Sequence, residues 1–329
     1  MKDMKDQSME RDYRGERDSI GELIMRTVDI LRRHRLEAEV IEYPHGNRRS
    51  VDVVSSGRII IKIVEDARML SKEEIEDLKL AARTLNSAAI IISKSYHNEA
   101  LEPGIVLDRS DISVMDPDTL DLYLSNEKVA IYYKKGQFYV KIRGEVLNRK
   151  RIERDLSIGE LAEMLRISRK AIYEYEKGSM DPSLEVAQRL VEIFGEDIIS
   201  RIDIHELTER YVFGYAERII RAYVKDDPLL RRISEMGITA ARLRRTAPDI
   251  VGSIGDRRSA FVIHSESLGF DDLYEKVRNT IKICSRLGCR VYTLVSDIET
   301  ANEIKRDFDR KTSVFERDRL DEVLRTMVR

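Results

Sequence analysis

Apolar residues at Ile20, Leu23, Ile24, Val28 and Leu31 recur at helical spacing and predict an amphipathic helix over 20–33. The period then shortens to two. Runs at 38–43, 50–55 and 58–64 read as strands, with Ser56-Gly57 a tight turn between the last pair. Ser71, followed three residues later by Glu74, forms a capping box that opens a helix over 72–85, which leads to a buried-type strand at 88–93. A strand at 112–115 and a helix after Pro117 close an α/β unit ending near Asn126, and Pro103-Gly104 marks an exposed loop. Residues 130–142 read as a β-hairpin turning at Lys134-Lys135-Gly136. Ahead of all this, residues 1–18 alternate Lys, Arg, Asp and Glu with almost no branched apolar residue and are expected to form a disordered leader.

In the middle of the chain the helical period returns in short pieces. Ser157 is placed to cap a helix whose Leu161, Ala162 and Leu165 share one face, the chain turns at Arg166 and Ile167, and Ser168 caps a second helix ended by Gly178. Ile172 and Tyr175 then point inward, while Arg169, Lys170, Tyr173 and Lys177 point out. Two short helices that cross steeply need a small residue at their contact, and Ala162 opposite Ile172 supplies it. The pattern is a helix-turn-helix. Its second helix would present Arg169 and Lys170 to base edges or phosphates of the DNA major groove, with Tyr173 one turn on. A helix before it (145–154) and one after it (183–194, with Leu184, Ala187, Leu190 and Phe194 inward) close a small all-α domain. Beyond it, 205–224 is a helical stretch rich in aromatics, among them Tyr211, Phe213, Tyr215 and Tyr223, which suits an interface either within the chain or between subunits.

The remainder echoes the beginning. Leu31-Arg32-Arg33 recurs as Leu230-Arg231-Arg232, Val51-Asp52-Val53-Val54 as Pro248-Asp249-Ile250-Val251, and Ser113-Val114-Met115-Asp116 as Ser313-Val314-Phe315-Glu316, in the same order. Pairs about two hundred positions apart predict an internal duplication. The expected architecture is α/β and multidomain: a leader (1–18), an α/β domain (19–128), a hairpin connector (129–142), the helix-turn-helix domain (143–196), a helical linker (197–225) and a second α/β domain (226–329).

Composition narrows the function. With 36% charged residues yet a net charge of −2, the chain does not advertise itself as a nucleic-acid coat, so DNA affinity must come from one local basic face. Cys284 and Cys289 stand without nearby His or a second Cys pair, which argues against zinc and leads us to expect two reduced, buried thiols. No apolar run reaches spanning length, and the charged first twenty residues do not read as a signal peptide, so a cytoplasmic protein is expected.

Leu156-Ser157, Leu161-Ala162, Ile167-Ser168, Ile172, Tyr175-Glu176 and Gly178 resemble the Cro and phage-repressor class of helix-turn-helix domains over about a sixth of the chain. That resemblance implies base contacts from Arg169, Lys170 and Tyr173 and phosphate contacts from Ser157 and Lys177, with Ser168 beside them at the start of the recognition helix. Two positions depart from the class: Ile158 replaces a usual polar phosphate contact, and Arg166 stands where a turn glycine is common. The α/β order, with Asp52 near the middle strand, looks like the restriction-endonuclease and Holliday-junction-resolvase fold. Catalysis there needs an Asp and an acid-any-Lys triplet to hold a divalent metal beside the lysine. Asp52 and Lys62 are present, but Ile60 takes the acid position; Glu22 on the first helix is the candidate substitute, and the second copy keeps Asp249 with Ala260 and Val262.

The whole chain, through Gln137-Phe138-Tyr139-Val140, the helix-turn-helix residues and Met180-Asp181, is similar to an archaeal family of helix-turn-helix transcriptional regulators. The expectation is therefore a sequence-specific regulator of double-stranded DNA, a homodimer with no membrane contact, no cofactor or metal and no enzyme activity. Its degenerate nuclease-like domains would be structural, dimerising or sensing. A metal-dependent nuclease targeted by the helix-turn-helix is the alternative, and a scaffold using the same exposed helix on a protein partner is a third reading.

Overall fold

In a computed structural model the described residues are 19–46, 49–265, 267–308, 310–316, 319 and 323–325. The leader expected at 1–18 lies outside them. The first α/β region begins with helix α1 (residues 19–33), whose Leu23, Ile24, Val28 and Leu31 are buried as its periodicity predicts. Strands β1 (Ala38–Val40), β2 (Val53–Ser55) and β3 (Ile59–Asp66) pair antiparallel in succession. Helix α2 (Lys72–Leu85) then crosses to β4 (Ala88–Tyr96), which lies parallel to β3. The capping box at its start is formed, with Ser71 and Glu74 each satisfying the other's backbone N–H.

Because β3 and β4 are covered on both faces, they read as near-continuous Ile and Ala rather than alternating. Ile59, Ile61, Ile63, Ile90 and Ile92 face α1, while Ile60, Ala89 and Ile91 face α2. Two strands absent from the sequence reading, β5 (Glu99–Ala100) and β6 (Ile105–Arg109), precede β7 (Ile112–Met115) and helix α3 (Pro117–Leu124). The hairpin β8 (Ile131–Lys134) and β9 (Gln137–Val140) turns through Lys135 and Gly136, both at positive φ, as a two-residue hairpin turn requires. It is built into the first sheet rather than standing apart from it as a connector, since β8 pairs parallel to β6.

Four helices follow at that edge: α4 (Gly144–Glu153), α5 (Ile158–Leu165), α6 (Arg169–Glu176) and α7 (Leu184–Phe194). One residue of α7 departs from expectation. Leu184 is 44% exposed, and Val186 is buried in its stead with Ala187, Leu190 and Phe194. Ser183 caps the helix, so Leu184 is its first residue and lies off the buried stripe.

The long linker helix comprises α8 (Ile204–Leu207), a π-helical segment (Thr208–Phe213) and α9 (Gly214–Asp226). Its Val212, Ala216 and Ile220 pack into the core shared with α2. The aromatic residues find partners inside the chain: Lys134 lies 4.2 Å from the Tyr211 ring centre, Lys79 lies 4.1 Å from that of Tyr215, and the Tyr223 hydroxyl donates to Glu76.

Helix α10 (Pro228–Glu235) introduces the second sheet: β10 (Thr239–Arg242), β11 (Ile250–Ile254), β12 (Arg257–Ile263), helix α11 (Phe270–Leu287), β13 (Arg290–Val295), helix α12 (Ile298–Asp307) and β14 (Ser313–Glu316). Its pairing runs antiparallel, antiparallel, parallel, parallel. The path β1-β2-β3-β4-β7 has the same sequence of senses. Val53 faces Ile61 as Ile250 faces Phe261, which brings Asp52 and Asp249 to corresponding places. Ile41 N–H donates to the Asp52 carbonyl (2.9 Å) as Leu243 N–H does to that of Asp249 (2.8 Å).

The two α/β regions clasp each other reciprocally. Helix α2 rests on β10 and β11, and α11 on β1 and β2. Asp77 of α2 accepts the backbone N–H groups of Arg244 (2.9 Å) and Arg245 (2.6 Å), while Asn279 Oδ1 of α11 accepts that of Glu42 (2.9 Å). Burial pushes the Asp77 carboxyl up, against the pull of those N–H groups and of the Ser50 hydroxyl. Arg286 pairs with Glu37 and Glu39, and Lys282 with Glu42 (3.1 Å).

The cysteines are corrected here: Cys284 and Cys289 form a disulfide instead of remaining reduced. Helix α11 ends at Gly288, whose φ of 68° reverses the chain and returns Cys289 to the sulfur of Cys284.

Candidate nucleic-acid interface

The helix-turn-helix is fixed by its ends. The Ser157 hydroxyl accepts the Glu160 N–H (3.1 Å), and the Glu160 carboxylate accepts the Ser157 N–H (2.8 Å), completing a second capping box that the sequence reading did not identify. The Ser157 N–H, then the Ser157 hydroxyl, holds the Glu160 carboxyl below its ordinary range. Arg166 adopts the left-handed conformation at φ 54°, doing the work of the turn glycine it replaces. Ser168 caps α6 by accepting the Ala171 N–H (3.1 Å), and Gly178 at φ 72° donates its N–H to Tyr175 O (3.1 Å).

Inside, Leu161, Ala162, Leu165, Ile172 and Tyr175 share one core with Val146, Leu147, Val186, Leu190 and Phe194. Gly144 is required by close approach, because a Cβ there would lie 2.3 Å from Tyr175 O and 2.5 Å from Glu176 O. The sequence reading missed a buried ion pair at the same junction. Arg151 of α4 meets Glu176 of α6 through two bonds (2.5 and 2.9 Å), Asn148 donates to the same carboxylate (2.5 Å), and Arg151 also donates to Leu156 O (2.8 Å). Paired this way, a buried guanidinium and carboxylate fix the angle between α4 and α6.

The outward face matches the predicted set. Arg169, Lys170, Tyr173 and Lys177 are exposed, Tyr173 by 52%. The Arg169 guanidinium lies over the first turn of α5, within 3.2 Å of where a Cβ on Gly159 would sit. Lys177 lies 5.9 Å from the Tyr173 ring centre. Among the described residues no carboxylate pairs with Arg169, Lys170 or Lys177. Ser157 and Ser168 mark the N-termini of α5 and α6, where the helix dipole favours an anion. This arrangement can accept phosphate oxygens around the N-terminal ends of both helices while side chains of α6 reach base edges.

The second charged constellation lies in the first α/β region. Asp52 is buried; its carboxylate accepts Arg49 Nε (2.7 Å) and the Ile63 N–H (2.7 Å) and lies 3.1 Å from Lys62 Nζ. Lys62 is also 3.7 Å from Glu74, whose carboxylate accepts the Ser71 N–H (3.0 Å) and hydroxyl (2.7 Å). A second acid therefore reaches Lys62 from α2, not from Glu22, which is exposed on α1. A capping-box glutamate facing the sheet was the available signal. The residues do not fit a divalent cation as they stand, because Lys62, Arg49 and N–H or hydroxyl donors occupy the carboxylates. Among the described residues, no group of three His, Cys, Asp or Glu side chains is arranged to hold a metal ion.

The reciprocal clasp also covers this place. Arg245, from the second region, donates to Glu73 (2.9 Å) and feels the charges of Glu74 and Asp77. In the second region Asp249 accepts the Ile263 N–H (2.7 Å) and Lys276 Nζ (2.5 Å), with Ala260 and Val262 on the strand. Tyr43 of the first region faces it, and burial, then Asp272 and Asp249, push the Tyr43 hydroxyl up.

Comparison with known proteins agrees with this division. Residues 21–129 match the PD-(D/E)XK superfamily domain, and residues 147–199 match a helix-turn-helix domain. A protein of Aeropyrum pernix named "Putative HTH-type transcriptional regulatory protein" is 31% identical over 91% of this chain and 95% of its own length. One of the same name from Saccharolobus solfataricus is 31% identical over 80% of this chain and 84% of its own. No solved structure matches. No helix among the described residues is long and apolar enough to cross a membrane. With a capped helix-turn-helix set on a PD-(D/E)XK-like domain, and with relatives matched nearly end to end, the chain belongs to this family of archaeal HTH-type regulatory proteins.

Proposed function

We propose that the protein is a sequence-specific regulator of double-stranded DNA. Arg169, Lys170 and Tyr173 read base edges, while Ser157, Ser168 and Lys177 hold phosphates. The observation that carries this reading is the exposed cationic first turn of α6, which no carboxylate among the described residues pairs, on a module whose buried Arg151 and Glu176 are matched. A duplex recovered by selection from random sequence with the full chain supplies the probe. Arg169→Ala/Lys170→Ala is expected to abolish preference for that duplex in a gel-shift titration, each lost contact being worth about 1–3 kcal/mol of discrimination. Unchanged binding with unchanged thermal unfolding would remove α6 from the role.

The two α/β regions are then an internal duplication without catalytic function, joined face to face. A homodimer supplies a second reading helix, because one short helix discriminates too few base pairs to find a site in a genome. Two copies of Arg169 roughly 34 Å apart, or a multiple of it, would read a near-palindrome from one face of the duplex. Light scattering at micromolar concentration, free and on DNA, tests this; monomer mass in both states rejects it. A cytoplasmic location accords with this role.

A nuclease is the second reading, and one observation favours it: Asp52, Lys62 and Glu74 converge although they come from different elements. Their paired and covered state supports the inactive reading instead. Incubation of linear, supercoiled and branched DNA with magnesium or manganese separates the two. Cleavage that disappears in Asp52→Ala would establish the nuclease.

A further inference from the structure

The chain leaving α6 runs into a third constellation, around the buried side of Asp181. Pro182 O accepts the Val140 N–H (3.0 Å), and Tyr139 and Ser183 form an antiparallel bridge, so this segment is laid along β9. Beneath it the Asp181 side chain is 11% exposed and lies 3.8 Å from Lys141 Nζ. Its oxygens accept the Tyr132 hydroxyl (3.0 Å) and the Ile142 N–H (3.4 Å). Lys141 is shared with Glu206 of α8 (3.6 Å). From the opposite side Arg210 donates to Gly178 O (3.4 Å) and Ser179 O (3.0 Å), the first carbonyls beyond the α6 cap. Burial raises the Asp181 carboxyl while Lys141 and Tyr132 oppose it, so the group depends on partners from another part of the fold.

The π-helical segment makes this grip possible. Its wider turn lets Thr208 and Val212 stay buried, with Val212 in the core shared with α2, while Arg210 and Tyr211 face the module and the Lys134 side chain. Hairpin and π segment thus converge on residues 178–183, just beyond the recognition helix, and α8 reaches that segment through the Lys141 that it shares with Asp181.

We propose that Asp181, Tyr132, Lys141 and Arg210 are positioning residues that fix α6 at one angle to the α/β body, which makes the body part of the DNA-reading device. The functional half of this inference rests on α6 reading DNA; the geometric half does not.

Nitroxide labels at Glu163→Cys on α5 and Lys305→Cys on α12, in the full chain with its disulfide intact, report the angle as a distance distribution. One narrow distance is expected. Asp181→Ala/Arg210→Ala should at least double its width, and an unchanged width overturns the proposal. Tyr132→Phe, which removes one hydrogen bond and keeps the ring, should broaden it less; if the double variant does not fold, the absence of any broadening in Tyr132→Phe overturns it equally. On the duplex selected by the unmodified chain, Asp181→Ala/Arg210→Ala should bind about tenfold more weakly, with amide protection in α5 and α6 retained. Unchanged affinity beside a broadened distance overturns the functional half. Binding that survives Arg169→Ala/Lys170→Ala instead overturns the reading of α6 and leaves the distance result standing.

Discussion

The first turn of α6 and the Asp52–Lys62–Glu74 constellation are both charged places at helix or strand ends, yet their charges are treated oppositely. On α6, Arg169 and Lys170 stand exposed and, among the described residues, without a carboxylate. Around Asp52 the three charges of the constellation are buried, and each has a partner from the same chain. An unpaired exposed cation costs little in water and keeps its capacity for an external anion, whereas a buried charge is tolerable only when matched. The contrast separates a surface that awaits a partner from one that has already spent its charges on the fold.

The largest expected effect tests the scaffold beneath the open surface. Glu176→Ala leaves the Arg151 guanidinium buried without its carboxylate and should cost about 3–5 kcal/mol, measured by denaturant unfolding of the module's transition. Next, Lys62→Ala should cost about 1–3 kcal/mol of stability, because Asp52 retains Arg49 and the Ile63 N–H but Glu74 loses its cation. A stability gain there would mean that the lysine is held in place at the expense of the fold, which is the signature of a working site. On the open side, Lys177→Ala should weaken all duplexes alike and reduce the slope of log affinity against log salt by about 1, the mark of a phosphate contact. Loss of sequence preference would instead move Lys177 among the base-reading residues.

The smallest effect is a pH dependence. Asp66 is opposed by burial, but the N–H groups of Asn98, Arg68 and His97 outweigh it and hold the carboxyl below its ordinary range. A lowered folded value adds stability that is fully present above the unfolded carboxyl value and is lost as pH falls through the folded one. Asp66→Asn should therefore lower the midpoint at neutral pH and converge with the unmodified chain in acid. Equal differences at both pH values would show that the turn at 97–98, not the charge, matters.

Much of the helix-turn-helix module was legible from residues alone, because capping serines, a turn and an apolar stripe lie within a few positions of one another. Ser157, Ser168, Ile172 and Gly178 carry local chemistry, and local chemistry survives without knowledge of the rest. The Arg151–Glu176 pair was invisible because its members are 25 positions apart and each looks like a solvated charge. Glu74 was recognised as a cap but not as a neighbour of Lys62, a contact that exists only once α2 is laid across β3. Likewise Leu184 was assigned inward from spacing alone, and the helix start at Ser183 shifted the stripe to Val186. The two-residue strand β5 carries too few residues to show a period.

Asp77 and Asn279, each holding the backbone of the opposite half, make a contact of the kind usually found between two subunits. Here the partners are tethered, so the association cannot be lost by dilution and needs no threshold of cellular abundance. A symmetric pair of identical chains must also suffer every substitution twice, once on each side. Tethered halves are under no such constraint, and these two differ: where the first half places Lys62 on its strand and Glu74 on its helix, the second has Val262 and Lys276.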